Sequence, residues 1–124
     1  MKYKISVEKN FSSAHCLRGY RGKCENLHGH NWKVRVVFCG NKLDDTGMLI
    51  DFIDIKMHLN RIMKFLDHKF LNEIDPFDKV NPTSENIAAF ILEQLKCIET
   101  ENAKICEVEV FESNSSSATI IIEN

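Results

Sequence analysis

The spacing of apolar residues changes twice along the chain, and this change limits the folds that the sequence can adopt. Near both ends, apolar residues occupy every second position, which is typical of strands with one buried face. In the middle they recur at every third or fourth position, which is typical of amphipathic helices. The residues that carry these patterns are Tyr3, Ile5 and Val7; Trp32, Val34, Val36 and Phe38; Phe52, Ile55, Leu59, Ile62 and Leu66; Ile87, Ile91 and Leu95; and Cys106, Val108 and Val110.

Capping and turn residues place the boundaries of these elements. The first strand is predicted over Tyr3 to Phe11, and the last over Ala118 to Ile122. Asp51 and Thr83 are candidate N-caps, and the helix after Asp51 is predicted to end near Leu66. The predicted loops are Leu17 to Lys23, Gly40 to Gly47, Phe70 to Asn81, Cys97 to Lys104 and Ser113 to Ser117.

The resulting order is strand, strand, helix, helix, strand, strand. This order predicts an α+β fold, in which a four-stranded antiparallel sheet carries both helices on one face. A chain of 124 residues suits one domain, here spanning residues 1–124. Such a sheet has open edges, which favour pairing with other subunits.

Composition excludes several classes of partner. The net charge of −2, without a dense run of Lys and Arg, gives no support for nucleic-acid binding. No apolar stretch approaches the roughly 18 residues of a membrane span, so no membrane partner is expected. The N-terminus lacks an apolar signal core, which favours the cytoplasm. Five cysteines without regular spacing favour reduced thiols over a disulfide framework.

Two histidines flank a single glycine in the segment Cys24-Glu25-Asn26-Leu27-His28-Gly29-His30. In an extended segment both imidazoles project from the same face, because side chains alternate. Gly29 would let the backbone come close to a bound ion, or it could mark a bulge that resets the alternation. With His15, the pair predicts the three-imidazole ligand set of a catalytic zinc, whose fourth position takes water or substrate.

Two other interpretations of the histidines stay open. They could be ordinary strand and loop residues without a metal. They could also form a closed structural zinc site that recruits Cys24 or Cys16 as its fourth ligand. Cys24 has its own alternatives: beside a metal and basic neighbours its thiol would act as a base or nucleophile, and otherwise it is a small loop residue.

Acidic and polar residues further along the chain are candidates for acid-base and binding roles. Asp67 and His68 would form a proton relay if the helix has ended there, and otherwise suit a helix C-terminus. Glu112 has the parity of the apolar face, so it would hold a ligand with adjacent N–H donors or else lie exposed at a strand end. The segment Thr83, Ser84 and Glu85 is explained by a helix start, although free N–H groups there could bind an anion.

These residues together resemble the 6-pyruvoyltetrahydropterin synthase family through nearly the whole chain. The three-residue gap between Cys24 and His28 is similar to that of the bacterial 6-carboxytetrahydropterin synthases of queuosine biosynthesis. The branch that replaces this cysteine with glutamate is not matched. The matching motifs, in family order, are Phe11-Ser-Ser-Ala-His15, Cys24-Glu-Asn-Leu-His-Gly-His30, Asp51-Phe52, Leu66-Asp-His-Lys69, Pro82-Thr-Ser-Glu-Asn86 and Val110-Phe-Glu112.

The resemblance implies a tunnelling fold in which subunits join their sheets into a barrel, commonly as hexamers built from two trimers. It also implies a pterin substrate, and a zinc-dependent lyase that converts 7,8-dihydroneopterin triphosphate to 6-carboxytetrahydropterin, acetaldehyde and triphosphate. The alternatives are a 6-pyruvoyltetrahydropterin synthase and a non-catalytic module that binds pterin or zinc.

The resemblance also implies roles for particular residues. The zinc ligands would be the three histidines, and Cys24 would be the general base. Asp67 and His68 would relay protons. Glu112 would anchor the pterin, with the segment Thr83, Ser84 and Glu85 assisting from a subunit interface. Ser113 and Phe111 depart from residues often found in relatives, and neither departure removes a catalytic group.

Overall fold

A computed structural model describes residues 2–22 and 26–123 of the chain. The predicted α+β class and the order ββααββ are confirmed, and the sheet order β1-β2-β3-β4 follows the chain with antiparallel neighbours. Within the described ranges, no helix has the length and apolarity needed to cross a bilayer. The elements are β1 (Tyr3–His15), β2 (His28–Gly40), α1 (Phe52–Leu66), a 3-10 turn (Leu71–Glu73), α2 (Ser84–Leu95), a second 3-10 turn (Lys96–Ile98), β3 (Lys104–Ser113) and β4 (Ser116–Ile121).

One apolar core lies between the sheet and the two helices. The odd-numbered side chains of β1 and the even-numbered side chains of β2 from Trp32 onward point into it, as the alternation predicts. The stripes of α1 and α2 cover this face of the sheet. The fully buried residues of the two helices are Ile55, Leu59, Leu66, Ile87, Ala88, Ile91 and Leu95.

Side-chain caps fix the start of each helix as predicted. The Asp51 carboxylate accepts a hydrogen bond from the Ile53 N–H at 2.9 Å, and the Thr83 hydroxyl accepts one from the Asn86 N–H at 3.1 Å. These bonds satisfy N–H groups that have no partner within the first turn.

The strands of the first hairpin are longer than the apolar pattern predicts. The expected end of β1 at Phe11 is wrong, because pairing continues through Ser12↔Asn31 to His15↔His28. The residues added to β1 are small or polar, and hydropathy alone does not indicate that they are strand. Pairing is continuous at Gly29, so this glycine does not reset the alternation.

Two cysteines predicted to be reduced are joined in a disulfide between neighbouring strands. Cys39 of β2 and Cys106 of β3 are bonded, with 6.0 Å between their Cα atoms. The β2–β3 register passes from Val37↔Glu107 to Phe38↔Ile105, so Cys106 is skipped at a bulge. The predicted alternation therefore fails at Cys106, and Ile105 takes the buried position instead. Cys16 and Cys97 are free thiols.

Candidate metal centre and neighbouring acid-base residues

The β1–β2 hairpin brings the predicted histidines together. His15 and His28 are directly paired residues, and His30 lies two positions further along β2 on the same face. Glu112, near the end of β3, joins them. One ligand atom from each of these four side chains lies within 4.8 Å of the others. The cluster offers three imidazole nitrogens and one carboxylate oxygen.

Backbone carbonyls fix the ring orientation of His15 and His28. His15 Nδ1 lies 2.7 Å from Pro82 O, and His28 Nδ1 lies 2.9 Å from Asn26 O. A carbonyl oxygen only accepts, so each Nδ1 carries a proton, and in the metal-binding form of each ring the lone pair lies on Nε2. The two Nε2 atoms face each other at 3.0 Å. Two lone pairs at this distance repel unless a cation lies between them.

His30 provides a third nitrogen that suits a metal. Its Nε2 atom is buried and forms no aligned hydrogen bond with any described residue, although Glu112 Oε1 lies 3.1 Å away. A buried polar atom without a partner is costly, and coordination would satisfy it. Two nitrogens on one tetrahedral zinc would lie roughly 3.3 Å apart, close to the His15–His28 separation. The residues therefore fit a zinc ion.

Burial keeps the His15 ring in the form that binds metals. The ring is almost completely buried, and this desolvation lowers the pKa of His15 despite the hydrogen bond from its Nδ1 to Pro82 O. A neutral imidazole is the metal-binding form.

Trp32 forms an apolar wall behind the cluster. Its ring centroid lies 4.8 Å from that of His15 and 5.3 Å from that of His30, both edge to face. The indole is fully buried, and its N–H donates to Ser13 O at 3.2 Å. Such a wall limits water access and holds the imidazoles in place.

The predicted Asp67–His68 pair forms because α1 has ended. Asp67 is extended, and His68 has a φ of 55°, a left-handed conformation that turns the chain. The turn brings Asp67 Oδ2 within 2.8 Å of His68 Nδ1. The geometry on which the relay hypothesis depends is therefore present, and the His68 ring is 82% exposed.

Strand β1 anchors this turn just before His15. The Ser12 N–H donates to Asp67 Oδ1 at 2.7 Å, and the His68 N–H donates to Ser12 O at 2.6 Å. The Ser13 hydroxyl donates to Leu66 O and accepts from the Lys69 N–H. The bond from Ser12 N–H, assisted by His68, holds the pKa of the Asp67 carboxyl below its ordinary value. Asp67 therefore stays ionised and can orient the His68 ring.

Glu112 lies at the cluster, whereas the start of α2 touches it through the backbone. The Glu112 side chain is 40% exposed, so it is open to a ligand as well as to His30. Thr83 caps α2, Ser84 is buried and Glu85 is exposed. Their neighbour Pro82 supplies the carbonyl that holds His15. Cys24 lies outside the described residues.

Sequence reasoning missed the groups that orient the ligands. The carbonyls of Pro82 and Asn26 leave no sequence signal, since every residue has one. The side chains of Asn72 and Asn81 bond the backbone beyond His15, in a stretch predicted only as loop. The sequence signal for these two residues is weak. Each has an amide side chain, Asn81 directly before Pro82 and Asn72 shortly after the Asp67–His68 pair.

Comparison with known proteins places this geometry in context. Residues 4–123 match the family described as 6-pyruvoyl tetrahydropterin synthase. The chain is 40% identical over 119 residues to the 6-carboxy-5,6,7,8-tetrahydropterin synthase of Synechocystis, covering 92% of this chain and 89% of that protein. It is 34% identical over 136 residues to the Haemophilus influenzae protein of the same name, covering 92% and 95%.

A solved structure shares the architecture. The 6-pyruvoyl tetrahydropterin synthase of Caenorhabditis elegans superposes with a TM-score of 0.84 at 25% identity, covering 99% of this chain and 97% of that one. The expected tunnelling fold is confirmed by this likeness together with the order of the elements.

Proposed function

Because the chain belongs to the 6-pyruvoyl tetrahydropterin synthase family, we propose that it is a zinc-dependent 6-carboxy-5,6,7,8-tetrahydropterin synthase. The reaction would convert 7,8-dihydroneopterin triphosphate to 6-carboxytetrahydropterin, acetaldehyde and triphosphate, in queuosine biosynthesis. One observation carries the proposal: His15, His28, His30 and Glu112 bring their ligand atoms within 4.8 Å of one another. The names of the bacterial relatives support the choice of product.

The histidines would hold the ion. When bound, zinc supplies Lewis acidity toward the hydroxyl oxygens of the substrate side chain, which acidifies the neighbouring C–H bonds. His15 and His28 are suited to this role because their Nδ1 protons are already engaged by carbonyls, which leaves Nε2 as the donor to metal. The ring behind them, Trp32, keeps bulk water from that side of the site.

Proton transfer would fall to residues outside the ligand set. The Cys24 thiolate would remove a proton from the substrate side chain, and His68 would exchange protons with the substrate at its exposed ring. The Asp67 carboxylate, 2.8 Å from His68 Nδ1, would hold the ring and stabilise its charged form.

The pterin ring would be bound by Glu112. A carboxylate accepts two parallel hydrogen bonds from adjacent N–H donors, as on the amino-pyrimidine edge of a pterin. Its position beside His30 would place that ring next to the metal-bound side chain. Thr83, Ser84 and Glu85 would assist, as a segment contributed at a subunit interface.

Assembly and location complete the proposal. We expect a homohexamer made of two trimers, with the outer edges of β1 and β4 available for pairing. We expect the cytoplasm as its location.

One alternative keeps the site and changes the product. The Caenorhabditis elegans relative is named for 6-pyruvoyl tetrahydropterin synthesis, and its fold is the same. Against this alternative stands the three-residue gap between Cys24 and His28.

The test is mass spectrometry of the products that the zinc-loaded protein forms from 7,8-dihydroneopterin triphosphate. The proposal predicts 6-carboxytetrahydropterin together with acetaldehyde. A 6-pyruvoyl product would move the protein to the alternative. No turnover by metal-replete protein would contradict both, and would favour a module that binds pterin without converting it.

A further inference from the structure

Two asparagines of the α1–α2 connection form hydrogen bonds to the backbone just after His15. The Asn72 side chain accepts from the Cys16 N–H at 2.9 Å and donates to Cys16 O at 2.8 Å. The Asn81 side chain accepts from the Arg18 N–H at 2.9 Å and donates to Arg18 O at 2.9 Å. Each amide thus satisfies both backbone groups of one residue.

This pattern requires a side chain that both donates and accepts, as a carboxamide does. An ionised carboxylate only accepts, and an ammonium only donates, so neither can bond an N–H and a C=O at once. The pair replaces a neighbouring strand at the point where β1 has ended. These side chains hold Cys16 and Arg18, which lie beyond the end of β1.

The hydrogen bonds of Asn81 also hold the neighbouring carbonyl that orients His15. Pro82 directly follows Asn81, and Pro82 O accepts a hydrogen bond from His15 Nδ1 at 2.7 Å. Two further bonds hold this stretch: Asn86 Nδ2 donates to Asn81 O at 2.8 Å, and Arg18 Nη2 donates to Phe77 O at 2.8 Å. A shift of residues 81 and 82 would therefore move the acceptor of the His15 ring.

Asn72 holds the residue directly after His15, and a backbone hydrogen bond holds the residue directly before it. Ala14 N–H donates to Lys69 O at 3.0 Å, and Cys16 is held by Asn72. The residues on both sides of His15 are thus tied to the segment that follows α1. The backbone of the ligand has little freedom to move.

We infer that Asn72 and Asn81 are positioning residues of the metal centre, which hold His15 with Nδ1 on Pro82 O and Nε2 toward His28. This inference rests on the proposed metal-dependent function. Neither asparagine is proposed to touch substrate or metal. They act through the His15 backbone and the carbonyl of Pro82.

The test compares the zinc affinities of metal-free wild type, Asn72→Ala and Asn81→Ala, by competition with a chromogenic chelator. Loss of groups that orient a ligand weakens metal binding by about 10- to 100-fold. We expect a loss of that size in each variant, with turnover restored at saturating zinc. The matched control is Asn60→Ala, on the exposed surface of α1, which should bind zinc as wild type does.

A milder variant guards against loss of the fold. Asn86→Ala removes only the exposed bond to Asn81 O and should weaken zinc binding by a smaller factor in the same direction. Thermal unfolding of the metal-free proteins shows which variants are folded. Wild-type affinity in every folded variant would overturn the inference, as would a wild type that binds no zinc.

The two proposals can fail separately. A wild type that binds zinc but forms no product would remove the proposed activity, while weaker zinc binding by the variants would still support the positioning role. Full turnover at limiting zinc in both asparagine variants would remove the positioning role and leave the activity intact.

Discussion

His15 and His28 turn their Nε2 atoms toward each other at 3.0 Å, although the Nδ1 atom of each ring already faces a backbone carbonyl. With a single proton on each ring, held at Nδ1, neither ring has a proton to place between the two Nε2 atoms. The arrangement is unfavourable for the protein alone and favourable with a cation. A cation bound between the two Nε2 atoms would relieve this contact.

His28→Ala should therefore lose zinc as well as activity, because two imidazoles bind the ion more weakly than three. Elemental analysis after dialysis against a chelator measures the bound metal. His58→Ala is the control, since His58 lies on α1 with its Nδ1 on Asp54 O. Stoichiometric zinc in His28→Ala would sink the ligand assignment.

Glu112→Gln should keep its zinc and lose substrate affinity. The charged acceptor is replaced by a neutral amide, and a hydrogen bond to a charged group is worth about 1.5–3 kcal/mol, or roughly 10- to 150-fold in KM. Steady-state kinetics and metal analysis together decide the matter. The control is Glu109→Gln, whose carboxylate accepts from the Ser117 hydroxyl. Loss of zinc from Glu112→Gln would make this residue a ligand instead.

Asp67→Asn should lower kcat while leaving zinc bound. The amide cannot stabilise a charged His68 ring, and acid-base catalysis of this kind contributes about 100-fold or more. Asp78→Asn, in an exposed loop, is the control. Unchanged kcat in Asp67→Asn would exclude the relay.

The same variant tests how the free energy of unfolding depends on pH. Hydrogen bonds from Ser12 N–H and His68 lower the pKa of Asp67 in the folded protein, so the unfolded chain binds its proton more readily. The stabilisation is complete above the ordinary carboxyl pKa of about 3.9 and is lost as the pH falls through the lower, folded value. Urea unfolding should show the difference between wild type and Asp67→Asn shrinking below about pH 4. A difference that does not change with pH would contradict this.

Cys24→Ala should bind zinc normally and lose most of its turnover, since a thiolate acting as base is not a ligand. Single-turnover kinetics with zinc-loaded protein give the chemical step directly. Cys97→Ala, at an exposed free thiol, is the matched control. A Cys24→Ala protein with full turnover would refute the role.

Reduction of the Cys39–Cys106 disulfide should destabilise the protein. The bond closes a loop with a sequence separation of 67 residues, and links of this kind contribute roughly 2–4 kcal/mol. Dithiothreitol should lower the Tm of wild type and leave the double variant Cys39→Ser, Cys106→Ser unchanged. Thiol titration of the denatured, unreduced protein checks the bond itself, and five reactive thiols would contradict it.

Local pattern was enough to predict that two strands lie near the site, and that His28 and His30 share a face if their segment is extended. The period of two carries that information without knowledge of the rest of the fold. His15 was different, because its place depends on the register between β1 and β2, and none of the last four pairs has a large apolar side chain. Alternation could suggest that His15 was near, but not that it faces His28.

The long-range contacts had no local signal. The disulfide depends on a bulge that skips Cys106, and nothing in the alternation of β3 marks it. The grips of Asn72 and Asn81 join residues 56 and 63 positions apart and end on backbone atoms, which are alike at every position. Such contacts follow from tertiary packing rather than from residue type.

The direct pairing of His15 with His28 makes the position of the two imidazoles independent of the length of the connection between the two strands. Because the sheet holds both histidines, the connection between them can gain or lose residues beyond Arg18 while the two imidazoles stay in place. In general, doubling the length of a loop between two paired strands costs only about 0.6 kcal/mol. An insertion or deletion there would change the surroundings of the histidine cluster and leave the pairing of His15 with His28 intact.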